Sequence, residues 1–435
     1  MEARFEKLLE KAAAVTEQAD LFIVETEKTP VNFEANRLKS LESKQSSSVT
    51  LRVIKEGRLG LGVSTRPDDD EKVLEMALET ARFGQPVDFD LPGLQVYPEV
   101  ETWDDAVIKV TTAELVDIGQ RMITAVTDRF PDVLCDAGAE TAHLSIQVIN
   151  SRGGGTSYRK TVMGIELQGS RVRGTDMLFV GDGQDDCCVI NYPDEVITNI
   201  LTQLERADKN VSIKSGELPV IFTPSGVASA FIPALASALN GKLVLEGASP
   251  LAERLGEAVF DRNFSLFDDP TLRLRPTSRL CDDEAVASRR TPLVENGRVT
   301  NFYYDLKTAA RAGKVSTGAG SRGRGGAPSP SVNALVINPG EIGFETMLAS
   351  IEEGLVVEYL MGAEQGNVLG GDFSGNVLLG YRVENGRITG RVKDTVVAGN
   401  IYKLLQNMTI GSDIRWQGGL YSPSILCPAV SVSAK

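Results

Sequence analysis

The chain has 435 residues, 42% of them hydrophobic and 24% charged, which is long enough for two globular domains. Its formal net charge of −14 argues against sequence-independent binding to nucleic acid, because such binding needs basic side chains that displace counterions from phosphates. The five cysteines are too few and too scattered for a disulfide framework, which favours a reduced, cytoplasmic protein.

The first half of the chain is predicted to form an antiparallel sheet covered by helices. The N-terminal 18 residues form a charged amphipathic helix, which is neither a secretory signal nor a membrane span. Strands are predicted over 21–25, 31–33, 49–53 and 59–63. The last two are joined by a turn at Glu56-Gly57. A helix over 69–83, whose acidic first turn begins at Asp68, is expected to cover one face of this sheet.

The remainder of the first half continues this pattern up to a polar segment. A helix begins at the capping box formed by Thr111 and Glu114 and ends before Pro131. Three or four more strands are predicted between 133 and 180, and a helix over 194–206. Residues 208–217 are polar and show no periodicity, so the domain boundary is placed there. The predicted domains are 1–208 and 218–435.

The second half is predicted to be mostly β. It opens with a short strand over 218–222 and a helix from Pro224 to Asn240. Strands are predicted over 273–280, 291–294, 300–304, 332–337 and 354–360, with a helix near 344–351. The sequence Val-Glu-Asn-Gly-Arg occurs at 294–298 and again at 383–387, and each copy predicts a β-hairpin. Two hairpins of this kind indicate a curled or closed sheet. The alternative is that a common hairpin sequence recurs here by chance.

The stretch 366–413 combines a turn, a hairpin and a helix. A glycine-rich turn, Gly370 to Gly375, precedes strands over 377–383 and 387–392, and helical spacing begins after the N-cap candidate Asn400. This turn, the hairpin, the Val-Ala-Gly-Asn step and the closing Gly411-Ser412-Asp413 resemble the C-terminal signature of the TldD/PmbA family, originally labelled modulators of DNA gyrase. The likeness extends, more weakly, over nearly the whole chain.

The resemblance implies a two-domain α+β protein in a proteolytic system. In that system one relative carries zinc on a His-Glu-x-x-x-His helix, and a second, PmbA-like or TldE-like, relative lacks the motif. When Asn240-Gly241 is aligned with the end of that helix, the ends of the motif fall near Ile232 and Ser237, with Pro233 where the glutamate would be. A further cysteine ligand corresponds to Ser422, while Cys427 belongs to a strand over 425–432.

The number of histidines limits the zinc sites that this chain could form. A catalytic zinc needs about three protein ligands, usually including two histidines, and this chain has a single histidine, His143. No two-histidine site can therefore be built within one subunit. His143 lies in a predicted strand, on the face opposite Leu144, Ile146 and Val148, so a solvated surface histidine is favoured over a ligand or a catalytic base.

Two further motifs do not support independent catalysis. Gly318 to Gly323 fits G-x-G-x-x-G, but no helix can start in the following segment up to Pro330, so a dinucleotide site is rejected. Residues 314–331 are instead expected to form a mobile loop, either a flap over a peptide channel or an exposed linker. The positive residues of this region are Arg311, Lys314, Arg322 and Arg324. No G-x-S-x-G elbow occurs in the sequence.

The glycine-rich turn is the predicted substrate-binding element, and no catalytic or metal-binding residue is assigned. The residues concerned are Gly370, Gly371, Asp372, Phe373 and Ser374. A nucleophilic role for Ser374 is rejected, because its only possible histidine base is His143, which is distant in sequence. The alternative is that the turn has a conformational role alone, with Asp372 and Ser374 satisfying turn amides.

These observations predict an α+β fold. Its N-terminal domain is an antiparallel sheet covered by helices, and its C-terminal domain is mostly β, curled or barrel-like. The family resemblance implies the metal-free partner subunit of a cytosolic metallopeptidase that acts on unfolded or small peptides, with no cofactor in this chain and zinc in a TldD-like subunit. Two alternatives stay open: a homodimeric, non-enzymatic peptide-binding or scaffold protein, and a non-metal hydrolase that uses carboxylates. No nucleic-acid or membrane partner is expected.

Overall fold

The N-terminal half is built on one large antiparallel sheet. The computed structural model describes residues 2–66, 69–323 and 326–434. The strands of this half are β1 (Gln18–Glu34), β2 (Arg37–Leu41), β3 (Lys44–Lys55), β4 (Arg58–Ser64), β5 (Leu134–Asn150), β6 (Gly155–Arg173) and β7 (Asp176–Asp186). They pair in the order β4-β3-β1-β5-β6-β7, and β2 pairs with the end of β1. The predicted N-terminal sheet is therefore confirmed.

Helices pack on one face of this sheet. They are α1 (Glu2–Ala13), α2 (Asp70–Ala81), α3 (Thr112–Thr127) and α4 (Asp194–Arg206), with a 3₁₀ turn over Val107–Lys109. The predicted capping box is present: the Thr111 side chain accepts from the Glu114 amide, and Glu114 accepts from the Thr111 amide. Helix α2 packs on β3 and β4, as predicted. Asp68, in the expected acidic first turn, lies outside the described residues.

Strand β1 was predicted as two pieces, which is wrong. Residues 18–28 pair with β3 on one side, and 20–33 pair with β5 on the other. Hydrogen bonding to these neighbours holds the polar segment between 25 and 30 in the extended conformation, although its sequence carries no strand pattern.

The C-terminal half contains a closed barrel. Its strands are β8 (Asn210–Val211), β9 (Gly216–Phe222), β10 (Leu266–Asp268), β11 (Thr291–Glu295), β12 (Arg298–Val299), β13 (Gly320–Ser321), β14 (Ser329–Pro330), β15 (Leu335–Ile337), β16 (Glu353–Met361), β17 (Asp372–Glu384), β18 (Arg387–Val392), β19 (Thr395–Asn400), β20 (Thr409–Ile410), β21 (Arg415–Gln417), β22 (Leu420–Ser422) and β23 (Ile425–Ala434). The order β16-β9-β23-β19-β17 closes by pairing of β17 with β16. The barrel-like prediction is confirmed.

Both Asn-Gly hairpins form, but in different sheets. Asn296 and Asn385 have φ of 49° and 51°, and the glycine after each also has positive φ, as this turn requires. The second hairpin, β17–β18, belongs to the barrel sheet. The first, β11–β12, belongs to a separate sheet in the order β12-β11-β10-β15-β22-β21. The barrel therefore closes without the first hairpin.

The two halves share a core. Val220 and Phe222 of β9 point into the barrel, where they pack in its apolar interior. Ile221 of the same strand and Val356 of β16 point outward into a cluster that contains Leu204 of α4. Alternation along the barrel strands thus provides one face for the barrel core and one for the contact with the N-terminal helices.

The long helix predicted over 224–240 is interrupted. The helices of this half are α5 (Pro224–Ala230), α6 (Ile232–Leu239), α7 (Gly241–Leu245), α8 (Leu306–Arg311), α9 (Phe344–Ala349) and α10 (Ile401–Leu404). The break falls at Phe231, two residues before Pro233, because proline has no amide hydrogen to donate to the carbonyl of Ser229. Asn400 caps α10 as predicted, with its side chain accepting from the amides of Tyr402 and Lys403.

Two other predictions are wrong, and one of the two alternatives for the loop 314–331 is excluded. Residues 273–280 form turns, with Leu274 at φ 56°, so this apolar run is not a strand. Residues 300–304 do not form the predicted strand, because β12 ends before them, at Val299. The loop 314–331 is not an exposed linker in its described part, because the Arg322 side chain is buried and pairs with Asp20. Arg324 lies outside the described residues. Across the described ranges, no helix combines the length and the apolar character needed to cross a membrane.

Candidate functional site

A cleft of about 700 Å³ opens between the two halves, beside the outer strand of the N-terminal sheet. One wall is β7, from Phe179 to Gly183. The facing wall comes from the C-terminal half, namely the start of α5 and parts of β16 and β17. A groove of about 470 Å³, which shares Glu166, Gly183 and Gln417 with the cleft, continues over the open face of the sheet. The two openings are adjacent, because these three residues line both of them.

Strand β7 presents backbone groups to this cleft, because it is an edge strand that pairs with β6 and with no other strand of the described residues. The Gly181 amide donates to Gln203 Oε1 at 3.0 Å, and the Gly181 carbonyl accepts from Gln203 Nε2 at 3.1 Å, so both groups point away from β6. Backbone groups pointing to one side recur every second residue. The amides and carbonyls of Phe179 and Gly183 therefore also face the edge, and no described residue bonds to them there.

Aromatic side chains from both walls are exposed in the cleft. Phe179 of β7 is 40% exposed and Tyr359 of β16 is 48% exposed. An edge strand with open amides and carbonyls can pair with another extended chain. The two rings would lie beside such a chain and could contact its apolar side chains.

Charged side chains beneath the cleft are paired. Glu358 accepts from the Thr223 hydroxyl at 3.0 Å, and Arg206 lies 3.8 Å away. Burial raises the pKa of Glu358, while the Thr223 bond and Arg206 oppose that rise. Asp182 of β7 accepts from Arg415 of β21 at 2.7 Å. These contacts tie the two walls together and pair the Glu358 and Asp182 carboxylates with groups of the protein.

The positions that the family resemblance aligns with zinc ligands do not fit a zinc ion. Ile232 has no donor atom, and the Ser237 hydroxyl donates to the Pro233 carbonyl at 2.8 Å. Ser422 is fully buried and donates to the carbonyl of Pro423 at 2.9 Å. Neutral hydroxyls and hydrocarbon groups are poor zinc ligands. Over 2–66, 69–323 and 326–434, no three His, Cys, Asp or Glu side chains are grouped so that they could hold a metal ion.

The histidine and the C-terminal cysteine lie where the sequence predicts. His143 is on β5, with 42% of its side chain exposed, and its Nε2 is 3.3 Å from Glu27 Oε2. It is not among the residues that line the cleft. Cys427 is fully buried in β23, and this burial raises the pKa of its thiol. Both the surface histidine and the structural thiol are confirmed.

The predicted substrate-binding residues lie at the start of β17. The turn ends at Gly371 instead of Gly375, because residues 372–376 pair with β19. Gly370 and Gly371 precede the strand, and Asp372 accepts from the Asn400 side chain at 2.8 Å instead of from turn amides. Phe373 is buried in the barrel, whereas Ser374 is exposed. None of the five lines the cleft described above, and their contact with a peptide stays a prediction.

Sequence reasoning missed a buried ion network that joins the two halves. Arg52 donates to Asp20 and, at 2.6 Å, to Glu284, and Arg322 donates to Asp20 at 2.7 Å. Burial alone would raise the pKa of Asp20, but Arg322 and Arg52 together hold it below its usual value. Burial raises the pKa of Glu284, and Arg52 opposes this. One signal was available: Asp20 and Arg52 are charged residues within otherwise apolar strand segments.

Comparisons with known proteins agree with this architecture. Residues 215–434 match the family model of the PmbA/TldA metallopeptidase C-terminal domain, and 19–83 match domain 1 of the same family. The metalloprotease PmbA of Escherichia coli O157:H7 is 24% identical over 98% of this chain and 94% of its own length. An uncharacterized protein of Methanocaldococcus jannaschii is 24% identical over 97% of this chain and 98% of its own length. The crystal structure of TldE from Thermococcus kodakarensis superposes with a TM-score of 0.89 at 22% identity, over 99% of this chain and 100% of that one.

Proposed function

The chain belongs to the PmbA/TldD metallopeptidase family, and we propose that it is the metal-free, peptide-binding partner of a zinc-bearing relative. In this proposal the relative supplies a His-Glu-x-x-x-His helix and the bond-breaking chemistry. The present chain supplies one side of the enclosure in which the peptide is held. Its substrates are unfolded or small peptides.

The observation that carries the proposal is the donor set at the positions that correspond to the zinc ligands. Ile232, Ser237 and Ser422 provide no imidazole, thiolate or carboxylate, and Pro233 occupies the position of the general base. A metal-activated water needs both the ligands and a nearby carboxylate. The single histidine of the chain, His143, cannot replace them because it is on the surface of β5, paired with Glu27.

The cleft beside β7 supports the peptide-binding part of the proposal. A peptide that adds to an edge strand must be extended, which excludes folded proteins and favours unfolded segments. Affinity would come from backbone bonds to Phe179 and Gly183, and these are independent of the peptide sequence. The exposed rings of Phe179 and Tyr359 would add contacts with apolar side chains.

The test uses the purified chain, a zinc-bearing relative from the same organism, and their mixture. Zinc content is measured by mass spectrometry, association by size-exclusion chromatography, and activity on an unfolded peptide with and without a chelator. We expect substoichiometric zinc and no cleavage for the chain alone, and chelator-sensitive cleavage by a co-eluting mixture.

Three results would overturn the proposal. Stoichiometric zinc held by the chain alone would contradict the metal-free assignment, and chelator-resistant cleavage would indicate a carboxylate hydrolase. If the chain binds peptide but never associates with the relative, it acts instead as a peptide-binding scaffold.

A further inference from the structure

We infer that Gln203 is an internal gate on the β7 edge, and that an incoming peptide displaces it in order to pair across Gly181. This inference rests on the peptide-binding function proposed above. It adds a residue that controls access to the edge and limits the register in which a peptide can bind.

The Gln203 side chain imitates a peptide group. Its carboxamide accepts from the Gly181 amide at 3.0 Å and donates to the Gly181 carbonyl at 3.1 Å. One residue of an antiparallel neighbour would exchange this same pair of bonds with Gly181. The edge is therefore occupied at this position by a side chain of the protein itself.

Gln203 is placed where it can move. It lies on α4 at the edge of the face formed by the buried residues Val196, Ile200 and Leu204, because about two helical turns separate it from Val196, and its side chain therefore reaches β7. Its side chain is partly exposed and lines the cleft. Withdrawal of the carboxamide into the cleft would break two bonds and leave the helix unchanged.

The position of the gate determines which registers are open. Phe179 and Gly183 lie two residues to either side of Gly181, and their outward groups have no partner among the described residues. Further along the strand, the Met177 carbonyl accepts from Arg391 at 2.7 Å, which closes that end of the edge. A peptide that bonds to both Phe179 and Gly183 must pass Gly181, so it has to replace Gln203.

The energetic consequence can be measured. In the wild-type chain the peptide replaces two neutral hydrogen bonds that already exist, so its bonds to Gly181 add little net affinity. In Gln203→Ala the same groups are free, and we expect the peptide to bind about tenfold more tightly. Gln203→Met retains the length of the side chain without its donor and acceptor, and should bind more tightly than wild type as well.

Gln120→Ala is the matched control. Gln120 lies on α3, outside the lining of the cleft, and its side chain donates to the Thr124 hydroxyl at 3.3 Å. The probe is a fluorescein-labelled, unstructured peptide of about ten residues rich in Thr and Val, with lysines for solubility, and a backbone N-methylated version that cannot pair as a strand. Affinity is measured by fluorescence anisotropy, and exchange of the Gly181 amide by hydrogen-exchange mass spectrometry.

We expect Gly181 to exchange faster in Gln203→Ala than in wild type, and addition of the peptide to protect it in both proteins. Only the two Gln203 variants should gain affinity, and only for the unmethylated peptide. Equal affinity of wild type and both Gln203 variants, or unchanged Gly181 exchange in Gln203→Ala, would refute the gate alone. Absence of binding by every protein would refute the peptide-binding function, and the gate with it.

Discussion

Replacing Arg322 by methionine should release the loop that contains it from the N-terminal sheet. The Arg322 side chain is fully buried, donates to Asp20 at 2.7 Å and donates through Nε to the Asp283 carbonyl at 2.9 Å. These bonds join residues that lie 302 positions apart. Methionine retains most of the apolar stem of arginine but has no charge and no donor.

The expected cost follows from what the substitution leaves behind. Removing one partner of a buried ion pair costs about 3–5 kcal/mol, because the other charge stays buried without compensation. Here Asp20 keeps two bonds from Arg52, so we expect the lower end of that range, about 3 kcal/mol. This cost corresponds to an increase of about two orders of magnitude in the population of the opened loop.

Hydrogen exchange reports this opening directly. The Gly320 amide donates to Asp282 at 2.8 Å and the Arg322 amide to Asp283 at 2.8 Å, so both should be protected until the loop opens. Arg311→Met is the matched control, because the Arg311 pair with Asp88, at 3.5 Å, is half-exposed and is worth less than about 1 kcal/mol. Similar exchange at Gly320 in both variants would refute the view that the buried pair closes this loop.

Three further predictions concern the barrel and the sheet. Gly371→Ala should lower stability clearly more than Gly174→Ala does. Both glycines have positive φ, but only at Gly371 would a Cβ meet an aromatic ring, that of Tyr402, at 2.5 Å. Equal shifts of the thermal midpoint in the two variants would contradict this. Phe373→Ala should lose about 3–5 kcal/mol of barrel stability in denaturant titration while Ser374→Ala loses almost none, because only Phe373 is buried; similar losses would show that the first residues of β17 do not pack as described. Burial lowers the pKa of Lys160 from 10.5 to about 8. The folded chain therefore binds this proton less tightly than the unfolded chain does. As a result, the free energy of unfolding should rise by about 3 kcal/mol between pH 8 and 10.5. Lys160→Met should flatten this rise, and an equally steep curve in the variant would contradict the reasoning.

Local patterns in the sequence predicted several turns and helix ends correctly. The Asn-Gly turns, the Thr111 capping box and the Asn400 cap depend on residues within a few positions of one another, and all of them form as predicted. The same locality explains the failures. The polar middle of β1 and the apolar run at 273–280 carry patterns that their tertiary surroundings override.

The sequence by itself determined the fold class, the family signature and the lack of zinc-ligand side chains at the expected positions, because these depend on residue identity and short spacing. Only the tertiary structure decided which strand would be the open edge, that Gln203 would bond to Gly181, and that Arg322 would be buried against Asp20. Each of these contacts depends on how distant segments meet when the two halves pack together. No periodicity along the chain encodes which polar group will face which, since a hydrogen-bond partner is selected by proximity in three dimensions.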